Sequence, residues 1–206
     1  MGERKVRSDR KRDIKPTVSI ELRECIYRLA YITDTPVKDV VEDVCINGIR
    51  QKQVISYLSR NFRRTVRIDN TLFLGDMERV SVKKRSVRGQ NERISTRVDS
   101  DTYEVINTLA YALDCSVSRA CSLLLDASIR DVEFLNEFVQ NYLSIHVDDK
   151  RMKELKKVFR YINQNNPYSK EITWPSFLSY LIDEVKVSAE KVKDTVSGFV
   201  INKWSE

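Results

Sequence analysis

Glycine and proline are scarce in this 206-residue chain, with five and four copies. So few turn-formers point away from a fold of many tight turns and towards a chain rich in helix. Histidine occurs once, at His146, with no Cys, Ser or carboxylate constellation around it, so a structural role is expected. There is no Gly-rich phosphate loop, no H-E-x-x-H helix and no C-x2-C pair. The chain is therefore expected to be no enzyme, to hold no metal and to need no cofactor. Cys25, Cys45, Cys115 and Cys121 each sit among apolar residues in a helix-like pattern, which predicts small reduced core residues and a cytoplasmic setting. No apolar run approaches the roughly 18 residues of a membrane span. The basic start MGERKVRSDRKRD has no apolar stretch behind it and does not read as a secretory signal.

What the chain does have is positive charge in particular places. The net charge is +6. Residues 1–15 carry seven Lys/Arg against three acids, and residues 59–93 carry ten against four. Residues 94–146 carry three against eight. Basic arms flanking neutral segments are an electrostatic footprint for nucleic acid, and equally the composition of a solvated tail.

A shift of 80 residues aligns 17–62 with 97–142 without a gap, and eleven of the 46 pairs are identical. They include Ile26 with Ile106, Leu29-Ala30-Tyr31 with Leu109-Ala110-Tyr111, Asp34 with Asp114, Val37 with Val117, and Ile49-Arg50 with Ile129-Arg130. Each copy opens on alternation: Ile14, Pro16, Val18 and Ile94, Thr96, Val98. Period two predicts a short strand with one face on a core. The period then changes. Leu22, Ile26, Leu29, Ala30 and Thr102, Ile106, Leu109, Ala110 share one helix face, which ends near Asp34 or Asp114. A second helix is expected from Thr35-Pro36 or Ser116, with Val37, Val40, Val41, Val44 or Val117, Ala120, Cys121, Leu124 on its apolar side. A third helical stretch follows at 51–62 and 131–142. A lone strand leaves its backbone groups unpaired, so each must find a second one: the other copy in the same chain is one candidate, and the equivalent strand of another chain is the alternative.

A strand followed by two amphipathic helices resembles the ribbon-helix-helix (MetJ/Arc/CopG) superfamily. The best match is Arg93-Ile94-Ser95-Thr96-Arg97-Val98 with the helix 103–113 behind it; Asp13-Ile14-Lys15-Pro16-Thr17-Val18 matches less well. The resemblance implies a mainly α fold with a short two-stranded antiparallel β-ribbon: tandem ribbon-helix-helix units over 13–62 and 93–146. A basic arm (1–12), a basic linker (63–92) and a C-terminal helical domain (147–206) complete the chain. It implies base contacts in the major groove of double-stranded DNA from Lys15, Thr17, Arg93, Ser95 and Arg97. It also implies phosphate contacts at the start of the second helix, at Val37 and Lys38 and at Ser116, Val117 and Ser118. Pro36 has no N–H to give, which weakens the first of these clamps.

In the linker, Arg63, Arg64, Arg67, Lys83, Lys84 and Arg85 are expected to contact phosphates. Alternation in 65–68 and 79–83 allows a small hairpin there. In 147–206, Leu155, Val158, Phe159 and Ile162 mark a helix, and Thr173-Trp174-Pro175 opens another. Self-association or a protein partner is the expected role of this segment.

The expected function is that of a cytoplasmic, nucleoid-associated transcriptional repressor of plasmid, phage or other prokaryotic type. Two other readings stay open. One is a centromere-binding partition or relaxosome accessory protein whose helical tail recruits a partner. The other is an adaptor that holds a protein.

Overall fold

The computed structural model describes residues 11–83, 90–143, 149–164, 166–168, 171–173 and 176–177. Among the described residues the chain is mainly α-helical with three short antiparallel strand pairs, and it divides into two compact units. No helix among the described residues is long and apolar enough to cross a membrane.

The first unit contains residues 1–23 and 37–128. Strands β1 (Arg12–Ile14) and β2 (Thr17–Ser19) are followed by α1 (Ile20–Ile32), α2 (Val37–Arg50) and α3 (Lys52–Ser59). The hairpin β3 (Val66–Ile68) and β4 (Thr71–Phe73) comes next. After it run β5 (Asn91–Arg93), β6 (Thr96–Val98), α4 (Ser100–Ala112) and α5 (Val117–Ile129). The two amphipathic helices expected after each strand segment are present, and their expected apolar faces are buried except at Val37 and Val117, which are half-buried.

β1 pairs antiparallel with β6 (Arg12 opposite Val98, Asp13 opposite Arg97, Ile14 opposite Thr96). β2 pairs with β5 (Thr17 opposite Arg93, Val18 opposite Glu92, Ser19 opposite Asn91). Both pairs keep one register, so they are two halves of a single ribbon. The interruption falls at Pro16. The Ile94 N–H donates to the Pro16 carbonyl at 3.0 Å, but Pro16 has no N–H to return, so the ladder loses one bond at its middle. One face of the ribbon is buried: Ile14, Pro16, Val18, Ile94, Thr96 and Val98.

Helix boundaries follow local chemistry. The side chain of Asp99 accepts the Thr102 N–H at 2.8 Å and the Thr102 hydroxyl at 2.7 Å. That N-cap starts α4 at Ser100, three residues before the expected start at 103. α1 and α4 both end in a left-handed aspartate, Asp34 (φ 49°) and Asp114 (φ 52°). The amide beyond each reaches back five residues, Thr35 to Ala30 at 3.0 Å and Cys115 to Ala110 at 2.9 Å. Aspartate tolerates this conformation better than most residues, which suits it to the helix stop.

α2 and α5 approach closely at Gly48. A Cβ built there would lie 1.9 Å from the Ser128 Oγ, so the contact requires glycine. One turn away, Cys45 and Cys121 bring their sulfurs to 3.7 Å, both fully buried. Cys25 is also buried, whereas Cys115, next to the exposed Ser116 in the α4–α5 connection, is only half-buried rather than a core residue.

The hairpin differs from expectation in its second strand. β3 falls within 65–68, but its partner is Thr71–Phe73, not 79–83. The turn is Asp69-Asn70, with Asp69 at φ 50°; a left-handed aspartate does there what glycine usually does. Gly75 is the second position that demands glycine, because a Cβ would meet the Arg64 backbone at 2.2 Å.

The second unit contains residues 24–36 and 129–206. Its described elements are the C-terminal part of α1, α6 (Val132–Leu143) and α7 (Asp149–Asn163). Asp131 caps α6 by accepting the Glu133 N–H at 2.9 Å. α7 buries Leu155, Val158, Phe159 and Ile162, the apolar face expected from their spacing. Phe159 meets Phe177 edge-on at 5.0 Å, and Arg28 pairs with Glu154 at 3.0 Å. His146, Trp174, Pro175 and residues 178–206 lie outside the described residues.

Candidate nucleic-acid interface

The face of the ribbon opposite its buried side carries Asp13, Lys15 and Thr17 from one segment and Arg93, Ser95 and Arg97 from the other. Thr17 is half-buried and the other five are exposed. All five residues expected to contact bases therefore lie on one face. The Ile94–Pro16 bond makes the inward-facing pairs the hydrogen-bonded ones. The outward pairs are then the non-hydrogen-bonded kind, whose side chains stand closer together. Asp13 and Arg97 use that proximity: the Arg97 Nε donates to Asp13 Oδ1 at 2.7 Å. Asp13 was not among the residues expected from the sequence, because an acid is not an obvious element of a face expected to meet DNA.

The ends of the ribbon are fastened differently. Arg12 lies over the Tyr103 ring at 4.6 Å and pairs with Glu104 at 3.3 Å. At the other end, Glu92 pairs with Arg23 at 3.0 Å. Lys11 pairs with Glu42 of α2 at 2.5 Å.

The starts of α2 and α5 are tied to the ribbon by side-chain hydroxyls. Thr96 donates to the Lys38 carbonyl at 2.9 Å. Ser122 donates to the Thr17 carbonyl at 2.9 Å and to the Ser118 carbonyl at 2.8 Å. Val37 and Lys38 thus sit beside β6, and Ser118 beside β2. α2 begins directly after Pro36. Ser116 caps α5, its Oγ accepting the Arg119 N–H at 3.2 Å. Lys38 and Ser116 are exposed, and Val37, Val117 and Ser118 are half-buried. First-turn amides of a helix have no partner within the helix, so each start offers donors and a positive dipole end next to the ribbon.

The linker cations are arranged in an unexpected way. Asp114 accepts from Arg64 at 2.6 Å and from Lys83 at 2.8 Å, and Arg63 lies 3.7 Å away. Arg64 also lies over the Tyr111 ring at 4.8 Å, and the amides of Arg63 and Arg64 both donate to the Ala112 carbonyl. These three cations anchor the linker on the end of α4. Arg67 is exposed on β3, and Lys84 and Arg85 lie outside the described residues.

The Lys83 hydrogen bond and the Arg64, Lys83 and Arg63 charges hold the Asp114 carboxyl below its ordinary range. A carboxyl lowered in the folded state stabilises above its unfolded pKa, about 4, and that contribution is lost as pH falls through the folded value. Asp114→Asn keeps a residue that accepts left-handed φ while removing the charge. The variant is expected to melt below the parent at pH 7, with the difference shrinking on acidification below pH ~4. Thermal melts across that range check it; a constant difference would mean that the charge contributes nothing.

No cluster of three or more His, Cys, Asp or Glu side chains that could hold a metal ion occurs among the described residues. Comparison with models of known protein families, with curated proteins and with solved structures finds no match to this chain.

Proposed function

We propose that this chain is a sequence-specific double-stranded DNA-binding protein that lays its ribbon in the major groove, acting as a transcriptional repressor of prokaryotic or mobile-element type. The observation that carries the reading is the outward ribbon face, where Lys15, Thr17, Arg93, Ser95 and Arg97 stand at alternate positions over a buried apolar face. A two-stranded ribbon fits the major groove. Arg can donate two parallel bonds to guanine O6 and N7, and Lys or a hydroxyl reaches similar base edges. The starts of α2 and α5 flank the ribbon and supply amide donors for phosphates on either side. The same order of strands and helices in 12–59 and 91–143 supports reading the chain as two ribbon-helix-helix units in tandem.

The two strands present different side chains, so the target has two unequal halves read by a single chain. Selection of bound duplexes from a random pool tests this. The expected result is an enriched, non-palindromic site, bound by a species with the mass of one chain. Absence of any enriched sequence would overturn DNA reading. A palindrome bound by two chains would overturn the one-chain arrangement.

A further inference from the structure

We propose that Asp13 is a positioning residue for base recognition, fixing the Arg97 guanidinium so that one end of the ribbon reads guanine strictly. The inference rests on the groove reading above and adds to it a residue and a direction. Asp13 Oδ1 accepts from the Arg97 Nε at 2.7 Å, directly across the ribbon. The bond occupies the one guanidinium nitrogen that lies within the side-chain stem. It leaves Nη1 and Nη2, with their parallel N–H bonds, as the end-on fork that matches guanine O6 and N7.

Arginine otherwise loses rotamer freedom on binding, and a side chain held in advance loses less. Both partners are well exposed, 71% for Arg97 and 62% for Asp13, so the pair contributes little to folding. The other end of the face lacks this device. Arg93 stands opposite Thr17, which has no carboxylate. The two arginines are therefore unequal readers: Arg97 is held, and Arg93 adapts.

The test is selection from a random duplex pool by the full chain and by Asp13→Ala, Asp13→Glu, Arg97→Ala and the Asp13→Ala/Arg97→Ala double variant. Circular dichroism melts verify that each is folded. Asp13→Ala is expected to lower discrimination by about tenfold at the same base pair that Arg97→Ala relaxes, and to leave the rest of the site intact. Asp13→Glu is expected to restore part of it, and the double variant to relax that position no further than Arg97→Ala alone. If Asp13→Ala instead tightens binding to all sequences equally, Asp13 is merely a repulsive acid near the phosphates and the proposal fails. Unchanged discrimination also overturns it. A parent chain that selects no site overturns the groove reading itself, and this inference with it; that outcome is distinct, because it appears before any substitution is made.

Discussion

Gly48→Ala is expected to destabilise the first unit by about 1–3 kcal/mol, the range for overpacking a close-packed interior. The sign is opposite to helix propensity, which favours Ala over Gly mid-helix by about 1 kcal/mol. Geometry decides between the two effects. The added methyl would lie 1.9 Å from Ser128 Oγ, 2.9 Å from its Cβ and 3.3 Å from a Leu124 methyl. Ser128 cannot turn away cheaply, because it is fully buried and its hydroxyl donates to the Leu124 carbonyl at 2.7 Å. The helices cannot easily separate either, since Val44, Cys45, Leu124 and Leu125 around the contact have no exposure. Adding Ser128→Gly removes both clashing Ser128 atoms, so the double variant is expected to recover most of the loss. Denaturant unfolding of the four proteins gives the coupling energy directly. A neutral or stabilising Gly48→Ala would show that α2 and α5 do not meet at this point.

Replacing Arg93 and Arg97 together with alanine is expected to remove about 2–6 kcal/mol of site-specific affinity, from two contacts worth about 1–3 kcal/mol each. Both side chains are exposed, so the melting temperature is expected to stay close to the parent's. Binding to unrelated duplexes falls much less, and the preference at two base pairs disappears. The contrast is with Arg63 and Arg64, which the sequence reading assigned to phosphates. Both sit at the Asp114 anchor, and their neutralisation is expected to loosen the linker and lower the melting temperature. Titrations against the selected site and a scrambled duplex at several salt concentrations, beside thermal melts, separate the two behaviours. Equal loss on both duplexes with the double Arg93/Arg97 variant would place these arginines on the backbone rather than in the groove.

Much of the fold is legible in the chain because it depends on local period. Ile14, Pro16 and Val18, and Ile94, Thr96 and Val98, alternate and are buried; the helix faces follow Ile26, Leu29, Ile106 and Leu109 in the same way. The outward residues follow from the same alternation, since a strand turns each neighbour to the opposite face. Features that depend on register or on distant neighbours are not legible. Asp13 meets Arg97 only because the strands pair as they do. Arg63, Arg64 and Lys83 converge on an aspartate at least 31 residues from each of them, and charge counting cannot distinguish an anchored arginine from a phosphate-seeking one. Strand β4 was hidden by a turn without glycine, and the need for glycine at position 48 depends on Ser128 of a distant helix, which no local pattern shows.

The unequal ribbon has a consequence for how this molecule can change. A symmetric ribbon built from two identical strands repeats every outward side chain, so one codon alters both ends at once. Here Asp13, Lys15, Thr17, Arg93, Ser95 and Arg97 are six separate codons on one chain, and one end can drift while the other is held. The same inequality guards against exchange between molecules. Two copies of 91–98 paired in this register would set Arg93 against Arg97 at both ends, and two copies of 12–19 would set Lys15 against Lys15. Like charges directly opposite are unfavourable, so crowding the protein should not scramble its strands.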